Sequence, residues 1–358
     1  MGQAARRRER TTEKKGKSRS AKKKKLARQA GCDRLKSEWI KKSKAQEMLE
    51  SEAETNQEGT QKTEAATKLE AKQLRKKRNR KRFWLIILVI FIISLPGYYC
   101  GLTVRSYEVR DARIQGSIRI ALVTDLHSCK YGKDQEKLLR AIDEQKPDLI
   151  LLGGDIIDDD LPTGPAEIFL SGISGKYPIY YVTGNHECWS GKDNYLSSMK
   201  IIESYEIKRL AGDCDVVTLN GTTIAIGGID DPYASMVESM IWSKELSDIK
   251  KEAQEKAPAN TFTVLLSHRP ESIEAYAKQG FDLVLAGHAH GGQWRIPGLI
   301  NGMFAPDQGL FPKYAGGRYE KDKTTMIVSR GLARESTILP RFCNPPELVI
   351  IELVGEGK

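Results

Sequence analysis

The 358 residues carry 57 Lys and Arg against 47 Asp and Glu, yet the positive excess is confined to one end. Residues 1–82 hold 28 basic and 11 acidic side chains (net +17), which leaves 29 and 36 beyond them (net −7). The balance argues against a basic, nucleic-acid-binding globular domain, and six cysteines with no C-x-x-C pair argue against a disulfide framework.

The first 82 residues, with "RRRER", "KKKK" and a Glu/Gln/Thr/Ala-rich stretch, have too few apolar residues to bury a core. They read as a largely disordered, basic, cytoplasmic tail, with helix allowed near its end. The uncharged run "FWLIILVIFIISLPGYYCGLTV", 83–104, follows directly on "RKKRNRKR". Its 22 residues match the roughly 20 that a bilayer-spanning helix needs. A cleaved signal peptide is the rival reading, but no A-x-A site follows and the preceding segment is too long. Cys100 lacks the small residue that lipidation sites carry before Cys. An uncleaved transmembrane helix is expected, with residues 105–113 as a tether. The basic cluster should hold the amino terminus in the cytoplasm and place the remaining domain, 114–358, outside the cell membrane.

That domain alternates apolar strand-like runs with amphipathic stretches. The runs are "IRIALVTD", "PDLILLGGD", "PIYYVTGNH", "TTIAIGGIDD", "FTVLLSH", "FDLVLAGH", "TTMIVSRG" and "ELVIIEL", and helical patterns such as "DQEKLLRAIDEQ", "NYLSSMKIIESY" and "ESIEAYAKQ" fall between several of them. The pattern predicts an α/β domain with strands buried under helices.

Polar clusters begin where these strand runs stop, the place where open α/β sheets carry their sites. Strand ends supply Asp125 and His127, then Asp155, then Asn185 and His186, then His268, and last His288 and His290. All five histidines of the chain are thereby used. So many N and O ligands exceed one tetrahedral metal and suit two. The D-x-H and H-x-H spacings are expected to put both side chains on one side of an extended strand end. Asp155 has two oxygens with which to bridge two cations, and Asn185 offers a neutral oxygen. Gly153, Gly154, Gly184, Gly287, Gly291 and Gly292 allow sharp turns and close backbone approach. Imidazole with carboxylate favours Mn, Fe or Zn as the two divalent ions.

The ordered set D-x-H, G-G-D-x-x-D, G-N-H-E, a strand-ending His and G-H-x-H resembles the calcineurin-like metallophosphoesterase superfamily over about residues 114–355. "AGHAHGGQWRIP", "GIDDP" and the tail "SRGL…LPRFCNPPELVIIEL" further resemble its membrane-associated bacterial subgroup. The resemblance implies a sandwich of two mixed β-sheets flanked by helices. It implies that Asp125, His127 and His290 bind one metal, that Asn185, His268 and His288 bind the other, and that Asp155 bridges. His186 would then face the phosphate as the catalytic acid or charge stabiliser, with Glu187 supporting the ligands from behind. Asp158 fits the motif without an assignable role. The implied activity is phosphoester or pyrophosphate hydrolysis by a metal-activated water, and the implied substrates are lipid-linked or wall-polymer phosphates. The rival from another class is a non-catalytic envelope or lipid-binding protein that keeps structural metals. Cys129 and Cys188 each follow a metal motif by two residues and read as loop filler before a disulfide. Arg269, Trp294 and Arg295 flank the motifs, with substrate contact and packing both open.

Overall fold

A computed structural model describes residues 36–46, 48, 59–98, 101–189, 191–238, 242–334 and 340–356. Contacts divide the chain into two compact units, Met1–Phe91 and Ile92–Lys358.

The first unit departs from the expected disordered tail. Residues 36–46 are helical, and a second helix runs over Gly59–Ser94 and so includes the whole basic cluster. Low apolar content rules out a core but not a helix, and Lys, Glu, Gln, Ala and Arg are all good helix formers.

The expected single span over 83–104 is also corrected. The helix stops at Ser94, a 3-10 turn covers Leu95–Tyr98, and Thr103 already lies in a strand. Its apolar part, Phe83–Ser94, is 12 residues. At about 1.5 Å per residue this reaches roughly 18 Å, against a hydrocarbon core of about 30 Å. Pro96, which has no N–H to donate, stands just beyond the break. Among the described residues no helix is long and apolar enough to cross a membrane. Cys100 lies outside the described residues.

The second unit contains fourteen described strands: β1 (Thr103–Arg110), β2 (Ser117–Val123), β3 (Leu149–Gly153), β4 (Ile179–Val182), β5 (Lys208–Arg209), β6 (Asp213–Leu219), β7 (Thr222–Ile229), β8 (Phe262–Ser267), β9 (Leu283–Ala286), β10 (Phe304–Ala305), β11 (Gly309–Leu310), β12 (Gly317–Lys321), β13 (Thr324–Val328) and β14 (Glu347–Val354). One mixed sheet has the order β1-β14-β2-β3-β4-β5 and the other β12-β13-β9-β8-β7-β6, with β10-β11 a separate hairpin. Residues 105–110, expected to be a tether, are an edge strand in parallel register with β14. The folded domain therefore begins near Thr103, eleven residues earlier than expected.

Strand alternation builds the layers. On β2, Ile118, Ile120 and Leu122 face one way and join Leu149, Leu151, Val349 and Ile351 against Ile224, Ile226, Val264, Leu266, Leu283 and Leu285 of the other sheet. Their neighbours Ala121 and Val123 face the opposite side, where helices Glu136–Gln145, Gly164–Ile173 and Lys192–Glu203 add Leu138, Ile142, Phe169, Leu170, Tyr195 and Met199. Beyond the second sheet, Leu265, Val284 and Met326 pack on Ile249 of helix Trp242–Lys256 and Tyr276 of helix Ile273–Gln279. The result is a sandwich of two mixed sheets between helices, as expected. Strands β2, β3, β4, β8 and β9 deliver their carboxyl ends toward one crevice.

Candidate metal centre

Every residue of the proposed ligand set is brought into that crevice. Asp125, His127, Asp155 and His290 each present a ligand atom within 4.8 Å of the others, and Asp155, His268 and His288 do the same. Asp155 belongs to both groups. Asn185 joins the second through its Oδ1, 3.2 Å from His268 Nε2. All seven side chains are buried.

The reason the pairs converge differs from the expected one. Asp125 and His127 lie beyond the end of β2, and both have left-handed backbone, with φ of 52° and 48°. Asp155, His288 and His290 are left-handed too, with φ of 53°, 67° and 47°. Each such non-glycine residue costs on the order of 1–3 kcal/mol, and such strain persists where surrounding structure over-determines it. The side chains meet because tight turns fold them back, not because alternate residues of an extended strand share a face. Glycines make room for this. A Cβ on Gly184 would stand 2.1 Å from Asp155 Oδ1, and one on Gly287 would stand 2.6 Å from Asp125 Oδ2.

Hydrogen bonds orient the ligands. His127 Nδ1 is 2.8 Å from Asp158 Oδ2 and His268 Nδ1 is 2.8 Å from the Gly153 carbonyl, so both rings turn Nε2 inward. The backbone N–H of His288 donates to Asp125 Oδ1, and that of His186 to Asp155 Oδ1. What remains is a set of buried atoms with no hydrogen-bond partner: Asp125 Oδ2, His127 Nε2, Asp155 Oδ2 and His290 Nδ1. Asp155 Oδ2 is 3.1 Å from His268 Nε2 and 3.5 Å from His127 Nε2, close enough for charge attraction though not aligned as a hydrogen bond. Buried polar atoms without partners are expensive. Four of them converging from a carboxylate and imidazole donor set fit a divalent cation, and the sharing of Asp155 fits a pair.

Electrostatics agree with that demand. Burial alone would lower the pKa of His268, but the Asp155 charge beside it outweighs this and pushes it up to about 10. Burial would raise Asp155, yet the surrounding imidazoles hold it well below the usual carboxylate range. The crevice is built to concentrate negative charge that needs a positive partner.

His186 is in neither of those two groups but lies with His127 and Asp158 in a third, whose ligand atoms are also within 4.8 Å of one another. Its Nδ1 bonds Asp159 Oδ1, its ring packs edge-on against His127 at 4.3 Å between centroids, and it is partly exposed. Glu187 is buried and accepts four backbone N–H bonds: Oε2 from Asp155 and Gly184, Oε1 from Ile156 and Ile157. Burial and the Asp155 charge push its pKa up to about 7 against the pull of those donors. It locks the loop after β3 to the loop after β4.

Several site residues carried no readable role in the sequence. Asp158 had a signal, its place in G-G-D-x-x-D, and is the carboxylate that fixes the His127 ring. Asp231 lay in "GIDDP" without a role, and Asp159 and Asp307 had no signal. Arg269 is buried, pairs with Asp231 and Asp307, and sits 3.0 Å from His288 Nε2, so it packs within the site. Cys129 Sγ accepts from the Arg334 N–H and Cys188 Sγ donates to the Gly184 carbonyl. Trp294 reaches away from the cluster to donate to the Pro340 carbonyl.

Residues 118–292 match the calcineurin-like phosphoesterase family. The match, over just under half of the chain, supports membership of the metallophosphoesterase superfamily. Similar proteins include an uncharacterized metallophosphoesterase of Campylobacter jejuni, 28% identical over 76% of this chain and 69% of that one. Phosphodiesterase YaeI of Escherichia coli is 29% identical over 66% of this chain and 82% of that one. The solved NAD nucleotidase of Haemophilus influenzae is 18% identical, with a TM-score of 0.44, over 61% of this chain and 46% of that one. The family match and the two sequence relatives support a metal-dependent phosphoester hydrolase, and the clustered ligand groups suggest a dinuclear divalent metal site.

Proposed function

We propose that the chain cleaves a phosphoester or pyrophosphate bond in a substrate held at a membrane surface, such as a phospholipid, a lipid-linked sugar or a wall polymer. The observation that carries the hydrolytic part is the buried pair of ligand groups sharing Asp155, with unpartnered atoms aimed inward. Asp125, His127 and His290 would hold one ion and Asn185, His268 and His288 the other, with Asp155 between. Ions held there would supply positive charge to phosphoryl oxygens and would lower the pKa of a nearby water. The chain's own residues do the rest. Asp158 and the Gly153 carbonyl fix the ring orientation of His127 and His268, and Glu187 holds the loops in register. His186, steadied by Asp159, stabilises or protonates the leaving oxygen. A purely structural metal site has no use for that partly exposed, separately held imidazole, which weighs against the non-catalytic rival.

Membrane attachment is supported by the apolar run that begins at Phe83, with large side chains that are exposed in this unit, directly after eight bases in residues 72–82. Lys and Arg near an anionic leaflet contribute about 1 kcal/mol each. By the charge rule the tail would stay cytoplasmic and the hydrolase outside, a topology that requires more of the chain than Phe83–Ser94 to cross the bilayer. The test is a panel of phosphomonoester, phosphodiester and pyrophosphate substrates, soluble and lipid-borne, given to the full chain with Mn, Zn or Fe. Turnover of at least one class is expected. No turnover in any class by metal-loaded protein would refute the reading.

A further inference from the structure

Six large apolar side chains stand exposed within one short segment beside the metal centre: Ile296, Leu299, Met303, Phe304, Leu310 and Phe311. Leu299, Leu310 and Phe311 are 78, 70 and 67% exposed, far beyond the scattered surface leucine that needs no explanation. The segment is firmly built. Met303 donates to the Gly292 carbonyl, Phe311 donates to the Met303 carbonyl, and a Cβ on Gly292 would stand 2.4 Å from Gly302 Cα. Asp307, in the turn between β10 and β11, accepts from Arg269 and lies 2.9 Å from His288 Nε2. The apolar surface is therefore fixed to a proposed metal ligand through a single side chain.

We propose that this segment, 296–311, is a lipid-docking surface that seats the hydrolase on a bilayer. Two observations choose lipid as the occupant. The fully exposed Lys313 follows Phe311 by two residues, a pairing of apolar and basic side chains that suits the headgroup boundary. The end of the apolar run is also anchored next to it: Tyr98 packs on Phe342 at 4.9 Å, Phe342 on Trp294 at 5.8 Å, and Arg295 N–H donates to the Phe342 carbonyl. Tyr98, which closes the 3-10 turn after the helix, thus lies at the root of the apolar loop. Since Asp307 links that loop to His288, docking would set the metal centre at a fixed short distance from lipid headgroups. This rests on the membrane reading above and deepens it, by naming the surface that receives the bilayer.

The test uses the full chain in vesicles of phosphatidylcholine and phosphatidylglycerol that contain a lipid with a photoactivatable acyl chain. After illumination, labelled peptides are mapped by mass spectrometry. Label is expected on 296–311 as well as on the 83–98 run, and not on the β12–β13 turn at the opposite end of its sheet. Leu299→Asp with Phe311→Asp should lose the loop label and keep the run's label, with metal content and melting unchanged; the milder Leu299→Ser with Phe311→Ser covers the case of poor folding. Label confined to 83–98 overturns the docking surface, and a loop-to-loop crosslink between chains would assign it to a second copy. Absence of label on 83–98 would refute the attachment reading separately. Labelling needs no turnover, so failure of the hydrolytic reading remains distinguishable.

Discussion

Replacing Glu187 with Gln tests how the metal centre is held, because it leaves shape and volume nearly unchanged. The carboxylate serves two pairs of backbone donors, one pair at each oxygen: Asp155 and Gly184, then Ile156 and Ile157. An amide keeps one acceptor oxygen. Its NH2 must face the other pair, so two buried N–H groups lose their partner and meet a donor instead. Each such group costs about 1–3 kcal/mol, which gives roughly 2–6 kcal/mol for the substitution. Total stability of a domain is about 5–15 kcal/mol, so the loss is a large share of it.

For a domain of this size 1 kcal/mol moves the melting point by roughly 2–4 °C, so Glu187→Gln should melt roughly 5–20 °C lower. The strain lies between the loop that carries Asp155 and the loop that carries Asn185, so metal retention should fall as well. Thermal scanning of the full chain, with metal analysis of the same samples, reads both. A shift below about 2 °C with full metal content would show that these four bonds contribute little and that the loops are held otherwise.

Other substitutions separate the roles. Asp155→Ala should lose both ions more readily than Asn185→Ala, by metal analysis of protein purified without chelator; one tightly held ion surviving Asp155→Ala would sink the bridging assignment. His186→Ala should keep metals and melting point while turnover drops about 10²–10⁴-fold, and unchanged turnover at saturating metal would remove it from the mechanism. Asp158→Asn, which weakens the fixing of the His127 ring, should cost about 10–100-fold in metal affinity measured by competition with a chelator. Protease added to intact spheroplasts should digest the hydrolase domain and spare an epitope in 1–82. The reverse pattern would exchange the proposed sides.

The eight strand runs legible in the sequence became β2, β3, β4, β7, β8, β9, β13 and β14, most of them lined with buried residues. The strands that escaped notice are short or lie at sheet edges. β1 reads "TVRSYEVR" because most of its side chains face solvent, and with neither apolar alternation nor a motif it passed for a tether. Sheet order was equally hidden: β14, from the end of the chain, lies between β1 and β2, a pairing that no local pattern encodes.

At the site the motifs named the groups that converge but not what aims them. Motif spacing is a property of short segments, whereas aim depends on partners from elsewhere. His268 takes its orientation from a carbonyl 115 residues away, and His288 touches a carboxylate 19 residues on, in a loop with no recognisable pattern. The left-handed turns at Asp125, His127, Asp155, His288 and His290 are likewise invisible to a spacing argument, which put the D-x-H and H-x-H pairs on an extended strand and named residues that do converge, through a different geometry. Strain of that kind lasts only while neighbours enforce it. Glu187 holds the turn at Asp155 through its backbone, and Asp158 and Asp307 hold the rings of His127 and His288, so the metal centre can be lost without touching any ligand.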